Sequence, residues 1–319
     1  MVKYLIRRLL YSIPVVIAIT IIIFALIEIA PGDVADYFVS GEVEMSPEAM
    51  QAIRDRYGLD QPAPVRYFNW VGAVIQGDLG YRYTDGRPVA EAIQRRLRAT
   101  ITLISAALVI GVVVGVPLGV FIGLRQYSAW DISLTGFSFL GISMPAFVTG
   151  ILALYLFSIQ LGWFPSGGMR PIGRGEVGLW TSVHHLILPS LVLSLNYVAT
   201  YMRYMRFSML EVVHSDYVRT ARGKGLADRR VTWRHTVPNA ILPVITIIGV
   251  SIPNLVVGAV FTETIFSWPG MGTLYLEAVR GRDVPLLMGM NLVIAVAVLG
   301  ANLLTDIVYA VVDPRIRYD

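Results

Sequence analysis

The segment Ala99–Leu124, ATITLISAALVIGVVVGVPLGVFIGL, runs for 26 residues without a charged side chain. A helix needs about 20 apolar residues to cross the roughly 30 Å hydrocarbon core of a bilayer. This segment is therefore long enough to span a membrane as one helix. Its length favours a helix over a strand of a membrane barrel, which would show short segments of alternating polarity.

Five further runs share this character, and the overall composition agrees with them. Hydrophobic residues make up 55% of the 319 residues, charged residues make up 15%, and the mean hydropathy is +0.63. A soluble domain of this size cannot bury so much apolar surface. We therefore predict an all-α integral membrane protein with six transmembrane helices. The six runs are Leu9–Ile27, Ala99–Leu124, Ile132–Leu161, Leu186–Met202, Val237–Thr262 and Val284–Thr305.

The distribution of basic residues predicts that both termini lie in the cytoplasm, because short cytoplasmic loops are enriched in Lys and Arg. The outer loop 31–98 also contains arginines, but it exceeds the roughly 60-residue length beyond which loop charge loses its influence. The first apolar run is too long for a signal peptide, so we expect a retained helix. On this orientation the short outer loops hold Arg170, Arg174, Arg280 and Arg282, while the cytoplasmic segments hold Lys3, Arg7, Arg8, Arg125, Arg203, Arg206, Arg219, Arg222, Lys224, Arg229, Arg230, Arg234, Arg315 and Arg317.

These features divide the chain into four predicted segments. Residues 1–30 form the cytoplasmic N-terminus and first span, 31–98 an extracytoplasmic helical loop, 99–305 a five-helix core, and 306–319 a cytoplasmic tail. The loop is either a structural cap on the membrane face or a docking surface for an external partner. Its predicted helices begin at Ser46-Pro47-Glu48 and end at Gly58, cover Val65–Gln76, and run from Pro88 to Leu97 into the second span.

Glycine recurs every fourth residue in the second span, at Gly111, Gly115, Gly119 and Gly123. On a helix these positions form one stripe without Cβ atoms, which another helix can approach closely. Pro117 lies beside the stripe and removes one backbone donor. The stripe predicts a tightly packed helix bundle and does not by itself identify a transporter.

The fifth span carries a polar stripe of Ser251, Asn254, Gly258 and Thr262, spaced three or four residues apart and therefore on one face. Such a face lies inside the protein, because polar groups facing lipid stay unsatisfied. It either makes interhelical hydrogen bonds or lines a solute path. The fourth span offers a weaker version with Ser190, Ser194 and Tyr197 or Tyr201.

Features of an enzyme or of an ion-coupled carrier are missing from the sequence. No Asp, Glu, Lys or Arg lies near the middle of a predicted span, which argues against transport driven by protons or sodium. Gly223-Lys224 is followed by Gly225 instead of Ser or Thr, so no ATP-binding loop is predicted. His184 and His185 are adjacent, and we interpret them as packing residues. We therefore expect no catalytic residue, no metal and no cofactor in this chain.

The cytoplasmic segment Glu211–Pro243 is the only long basic stretch between two spans. Ser215 can cap a short helix there and Gly225 can end it. Tyr217, Ala221 and Gly225 would share one face, and small residues among cations suit a groove in another protein. A lipid-headgroup anchor would explain the arginines but not the small residues. The candidate docking residues are Ser215, Asp216, Tyr217, Val218, Arg219, Thr220, Ala221, Arg222, Gly223, Lys224, Gly225 and Leu226.

The same segment resembles the cytoplasmic "EAA" loop of ABC importer permeases, most of all the B-type subunits of the dipeptide, oligopeptide and nickel group. The resemblance covers nearly the whole chain. The matching motifs are Tyr217–Leu226 with His235 and Asn239–Pro243, Ala30–Asp33, Tyr57–Pro62, Gly77–Gly80, Leu161–Pro165, Phe266–Gly272, Arg282–Pro285 and Asp313–Arg315.

This resemblance implies a type I-like permease fold in the inner membrane of a prokaryote, with residues 215–230 as the coupling helix. It implies four kinds of partner: a C-type permease, two ATPases that use ATP and Mg, an extracytoplasmic solute-binding protein, and membrane lipid. No nucleic acid is expected. The chain departs from the motif where Glu-Ala-Ala is expected, reading Arg219-Thr220-Ala221, so that only Ala221 and Gly225 carry over. The closing element is either Val237-Pro238 or Leu242-Pro243.

Two other classes of function compete with this hypothesis. A stand-alone channel or ion-coupled carrier would work without ATPase partners. A membrane scaffold or receptor would use the basic loop to recruit a cytosolic protein and would show no solute flux. Within the family, the cargo could be dipeptides, oligopeptides, glutathione, nickel complexes or oligosaccharides.

Overall fold

The structure is a computed structural model that describes residues 2–30, 51, 58, 60–171 and 178–312. Within these ranges the only β-pairing is an isolated bridge between Tyr81 and Pro88. The helices are α1 (Val2–Ile29), α2 (Ala63–Ile75), α3 (Val89–Ile110, a π-helical turn Gly111–Gly115, and Val116–Gly123), α4 (Ala129–Ser143), α5 (Ala146–Ala153 and a π-helical continuation Leu154–Gln160), α6 (Leu179–Val213), α7 (Asp216–Gly223), α8 (Asp228–Val231, a π-helical turn Thr232–Thr236, and Val237–Ala240), α9 (Leu242–Ser251), α10 (Asn254–Val257), α11 (Val260–Ile265), α12 (Met271–Arg280) and α13 (Val284–Val312).

The all-α membrane architecture predicted from the sequence is confirmed. Four of the described helices are long and apolar enough to cross a bilayer, and two bent pairs raise the number to six if each pair is one span. Each of the six predicted runs falls on one of these elements. The four helices are Ile6–Ile29, Val89–Gly123, Leu179–Val213 and Val284–Thr305, and the bent pairs are Ala129–Ser143 with Ala146–Gln160 and Asp228–Ala240 with Leu242–Val257.

Two of the predicted runs are not single straight helices. The pair α4–α5 bends by 102° where Met144 adopts an extended backbone before Pro145, because a residue that precedes proline is disfavoured in the helical region. The run Val237–Thr262 breaks at Gly258, whose φ of 91° and ψ of 164° suit only glycine. Apolar composition continues across both breaks, so hydropathy could not show them.

The chain forms two compact units. The first comprises residues 1–98 and 270–300, and the second comprises 99–269 and 301–318, with residue 319 assigned to the first. The predicted core 99–305 is therefore divided, because α12 and the first part of α13 pack with residues of the segment predicted as an outer loop. Their shared core contains Val89, Ile93, Met271, Leu274, Ala278, Leu286, Leu287 and Met290.

The first unit also contains α2 and a polar cluster. Helix α2 covers nearly the range predicted for it, and Gly77 follows with φ of 85°. The helix predicted from Ser46 lies outside the described residues. Asp283 is fully buried: one carboxylate oxygen accepts from the Tyr83 backbone N–H at 3.0 Å and the other from that of Leu286 at 3.2 Å. Burial raises the pKa of the Asp283 carboxyl.

In the second unit, all four glycines of the stripe on α3 face α6. A methyl group built at Gly119 would lie 2.6 Å from the Met202 carbonyl oxygen, and one at Gly115 would lie 2.8 Å from that of Val198. At Gly111 and Gly123 the nearest atoms are the Cβ atoms of α6 residues at 2.5 and 2.6 Å. The absence of Cβ atoms is therefore what lets the two helices meet.

Candidate functional site

The basic segment forms a short helix, α7, directly after the end of α6. Ser215 has an extended backbone at the N-cap position, but its hydroxyl donates to the Val212 carbonyl at 2.6 Å and does not cap α7. Asp216 lies in the first turn, where a carboxylate suits the helix dipole. The helix ends at Gly223, and Gly225 beyond it has φ of 77°. This left-handed glycine turns the chain away from the helix axis.

One face of α7 packs against its own chain. Val218 is fully buried and Ala221 is 7% exposed, and both contact the buried Val231 of α8. Val212 and Leu226 complete this small cluster. The spacing of Tyr217, Ala221 and Gly225 predicts Ala221 on a face available to another protein, whereas the structure places it in this internal contact. The small side chain at position 221 therefore serves the seating of α7 on α6 and α8.

The opposite face of α7 is open. Tyr217 is 46% exposed, and a methyl group built at Gly223 would meet no atom within 4 Å. Two ion pairs on this surface, Arg219–Asp216 at 3.7 Å and Arg222–Asp228 at 3.4 Å, are too exposed to hold the side chains firmly. The cations remain free to meet carboxylates of another protein. The exposed residues are Asp216, Tyr217, Arg219, Thr220, Arg222, Gly223, Lys224 and Gly225.

Both candidates for the closing element lie at helix starts on the route from α8 to α9. Pro238 is in the first turn of Val237–Ala240 and Pro243 is in the first turn of α9, where a missing N–H is tolerated. Ala240 and Val244 are fully buried in a cluster with α6 residues that include Met205. The segment that follows α7 is thus firmly packed on α6.

The polar residues of the fifth span have different surroundings. Ser251 accepts a hydrogen bond from the Tyr201 hydroxyl at 3.1 Å, and Asn254 is hydrogen-bonded to the Tyr197 side chain. Thr262 is buried, and Gly258 lies at the helix break. Ser251 and Asn254 therefore join α9 and α10 to α6, which is the interhelical role weighed above. Asn254 also remains exposed, so it stays available to a solute path.

A buried carboxylate lies beside this region, outside the predicted polar stripe. Glu263 of α11 is fully buried and accepts from the Thr100 hydroxyl at 2.7 Å and from the Ala259 backbone N–H at 3.4 Å. Trp268, also buried, donates its indole N–H to the Ala99 carbonyl at 2.9 Å. Both bonds tie the chain beyond the Gly258 break to the start of the second span. Glu263 comes one residue after the predicted run Val237–Thr262, and hydropathy therefore gives no signal for a buried carboxylate there.

A second polar contact of the membrane region joins α4 to α6. Asp131 is 2% exposed and accepts two hydrogen bonds from Arg206, from Nε at 2.5 Å and from Nη2 at 2.7 Å. Such a bidentate pair fixes both position and orientation. The histidines at the other end of α6 donate to backbone carbonyls: His184 Nε2 bonds that of Trp163 at 2.9 Å, and His185 Nδ1 bonds that of Gly168 at 3.0 Å. They hold the loop before α6.

Comparison with known proteins finds two family matches that together cover nearly the whole chain. Residues 115–318 match the family described as "Binding-protein-dependent transport system inner membrane component", and residues 1–104 match the corresponding N-terminal family. The chain is 41% identical over 323 residues to the oligopeptide transport system permease protein AppB of Bacillus subtilis, covering 100% of both chains. It is 37% identical over 336 residues to the dipeptide transport system permease protein DppB of Alkalihalophilus pseudofirmus, again covering 100% of both.

Proposed function

Because the chain belongs to the family of binding-protein-dependent transport system inner membrane components, we propose that it is the permease subunit of an ATP-driven importer of short peptides. The names of its full-length relatives, which are oligopeptide and dipeptide permeases, support peptides over the other cargoes. The proposal includes six spans with both termini in the cytoplasm and a location in a prokaryotic inner membrane. This chain would form half of the path and would not hydrolyse ATP itself.

The observation that carries the proposal is the two-sided construction of α7. Its inner face, with Val218 and Ala221, is anchored to α6 and α8, while its outer face exposes arginines and Tyr217. A helix with this construction can transmit a displacement imposed on its outer face to the membrane spans. Carboxylates in a groove of an ATPase would bind the arginines in bidentate fashion.

The mechanism that follows is alternating access. When ATP closes two ATPases, their grooves move, and each groove carries the short helix seated in it. Since α7 is packed on α6 and on the segment leading into α9, the spans follow that movement. The proposed partners are a second permease subunit, two ATPases and an extracytoplasmic binding protein that delivers the cargo.

Gly223 offers a matched test of the docking face, because a side chain there points into open space. Gly223→Trp adds bulk to the outer face, and its Cβ would meet no atom within 4 Å. Gly223→Ala adds one methyl group and removes the entropic cost of glycine in a helix. We expect the Trp variant to reach the membrane at the normal level but to lose the ATPase subunits on purification, while the Ala variant retains them.

The identity of the cargo is tested by the uptake of a tritiated dipeptide such as Ala-Ala into cells that express the whole transporter. Wild-type and Gly223→Ala cells should accumulate it and Gly223→Trp cells should not. If Gly223→Trp keeps its ATPases and transports normally, α7 is not the coupling helix. If wild-type cells take up none of a panel of short peptides, the peptide assignment is wrong even where the ATPases co-purify.

A further inference from the structure

One face of α6 carries three polar residues, Asn196, Thr200 and Arg203, spaced four and three residues apart. This spacing places them on a single stripe of the helix. Asn196 is exposed, and Thr200 and Arg203 are half-buried. None of the three side chains makes a hydrogen bond to any residue in the described ranges. Tyr197, whose side chain bonds the exposed Asn254, lies beside the stripe.

Arg203 differs sharply from its neighbour Arg206. Arg206 is neutralised by two hydrogen bonds to Asp131, whereas the guanidinium of Arg203 makes no ion pair within the described residues and lies over the Phe139 ring, with Cζ 5.4 Å from the ring centroid. Its Nε is buried and has no partner in the described part of the chain. Arg203 directly follows the charge-free stretch Leu186–Met202, and α6 continues for ten residues beyond it.

Arg203 borders the apolar part of the span, where an unpaired cation is costly against hydrocarbon, and such residues face water or an anion. Asn196 and Thr200 carry the same requirement, because amide and hydroxyl groups facing lipid stay unsatisfied. Three polar residues on one stripe therefore indicate a face turned to an aqueous path. From Asn196 to Arg203 the stripe rises about 10 Å, at about 1.5 Å per residue. That is the length of roughly three residues of an extended peptide.

We propose that this stripe is a peptide-binding face of the path, with Arg203 binding the C-terminal carboxylate of the cargo. The inference rests on the proposed function and assigns it a specificity-determining residue. The planar guanidinium suits a carboxylate, which it can bind with two parallel hydrogen bonds. Asn196 can donate to and accept from the peptide backbone along the same stripe, and Thr200 can do likewise. The Phe139 ring holds the Arg203 head in place by a cation–π contact.

The absence of cysteine in this chain allows the charge at position 203 to be removed and restored chemically. Arg203→Cys is prepared in an assembly whose partner subunits have their cysteines replaced by serine. A 2-aminoethyl methanethiosulfonate reagent then adds a cation through a disulfide, and the 2-sulfonatoethyl reagent adds an anion of similar length. Arg125→Cys is the matched control, because Arg125 is also held over an aromatic ring, that of Phe121, at 4.2 Å.

The measurement is uptake of tritiated Ala-Ala into proteoliposomes that contain the binding protein and ATP. Loss of a charge-assisted contact predicts that Arg203→Cys transports about tenfold more slowly than wild type. The aminoethyl derivative should recover most of that rate and the sulfonatoethyl derivative none. Excess Ala-Ala during turnover should slow the modification of Cys at position 203. The Arg125→Cys assembly should transport normally before and after either reagent.

Three results would overturn the assignment of Arg203 while leaving the importer intact. The first is normal uptake by Arg203→Cys, and the second is equal recovery of uptake with both reagents. The third is modification that is blocked whether or not peptide is present, because that would place Arg203 against the partner permease. Arg203→Lys and Arg203→Gln repeat the comparison without a reagent if the cysteine variant assembles poorly, with the Lys variant expected to be the faster. If the wild-type assembly imports no peptide, the proposed function itself fails.

Discussion

The contact between α3 and α6 predicts a large penalty for one added methyl group at Gly119. An ideal Cβ there would lie 2.6 Å from both the Met202 carbonyl oxygen and the Met205 Cβ. Neither atom can move without moving the backbone of α6. Ordinary contacts between such atoms begin near 3.5 Å, so the helices would have to separate by about 0.9 Å. Overpacking of this kind costs about 1–3 kcal/mol.

Gly136→Ala provides the matched control, because Gly136 lies inside α4 and a methyl group there meets no atom within 4 Å. The two substitutions add the same atom and bring the same gain in helix propensity, about 1 kcal/mol. The difference in stability between the two variants therefore reports the cost of the helix–helix contact alone. The assay heats each detergent-solubilised variant and measures the monodisperse fraction that remains.

We expect Gly119→Ala to lose its folded fraction several degrees below wild type and Gly136→Ala to match or exceed wild type. Gly119→Leu should fail to accumulate in the membrane at all, because its side chain has no space between the two helices. Equal stability of Gly119→Ala and Gly136→Ala would contradict this prediction. In that case the two helices could separate freely and the stripe would not be a close contact.

Two further substitutions each test a buried polar contact, one within each of the two units. Trp268→Phe removes the indole donor from the buried Ala99 carbonyl, which keeps its hydrogen bond within α3, so it should destabilise the protein by about 0.5–1.5 kcal/mol in a thermal assay, whereas Trp180→Phe at a 77% exposed site should have no effect. Burial raises the pKa of Asp283 although Arg82 lies 3.9 Å away, so the folded state holds this proton more tightly than the unfolded state. Stability should therefore rise as pH falls through the raised pKa, with the gain complete near the ordinary value of 3.8, and be lost as pH rises again. Asp283→Asn should lack this gain. The prediction would be contradicted if the melting temperatures of the two proteins changed in parallel from neutral to acidic pH.

The sequence predicts those features that depend on residue type at a fixed spacing. The glycine stripe of α3 is one example, because four positions without Cβ atoms on one face indicate directly that another helix comes close. The spans are another, since apolar length alone decides whether a helix can cross a bilayer. The end of α7 near Gly225 also follows from the residue, which adopts the left-handed conformation that ends helices.

The remaining features depend on contacts between distant parts of the chain. Periodicity groups Ala221 with Tyr217 but cannot tell which side of α7 faces inward, because that is decided by Val231 on α8. Nor could the sequence connect Glu263 with Thr100, which lies 163 residues earlier. The break at Gly258 is invisible to hydropathy, since glycine within an apolar run interrupts the helix without adding polarity.

Helix α6 connects the two proposed sites of this protein. Its 35 residues extend about 52 Å, longer than the roughly 40–45 Å of a whole bilayer. It contacts α3 through the glycine stripe, α4 through Asp131 and α9 through Ser251, and it ends two residues before the N-cap of α7. A helix held so closely at several levels moves as one body. On the two proposals above, movement of α7 by an ATPase would carry Arg203 with it and would link release of the cargo carboxylate to the ATP cycle.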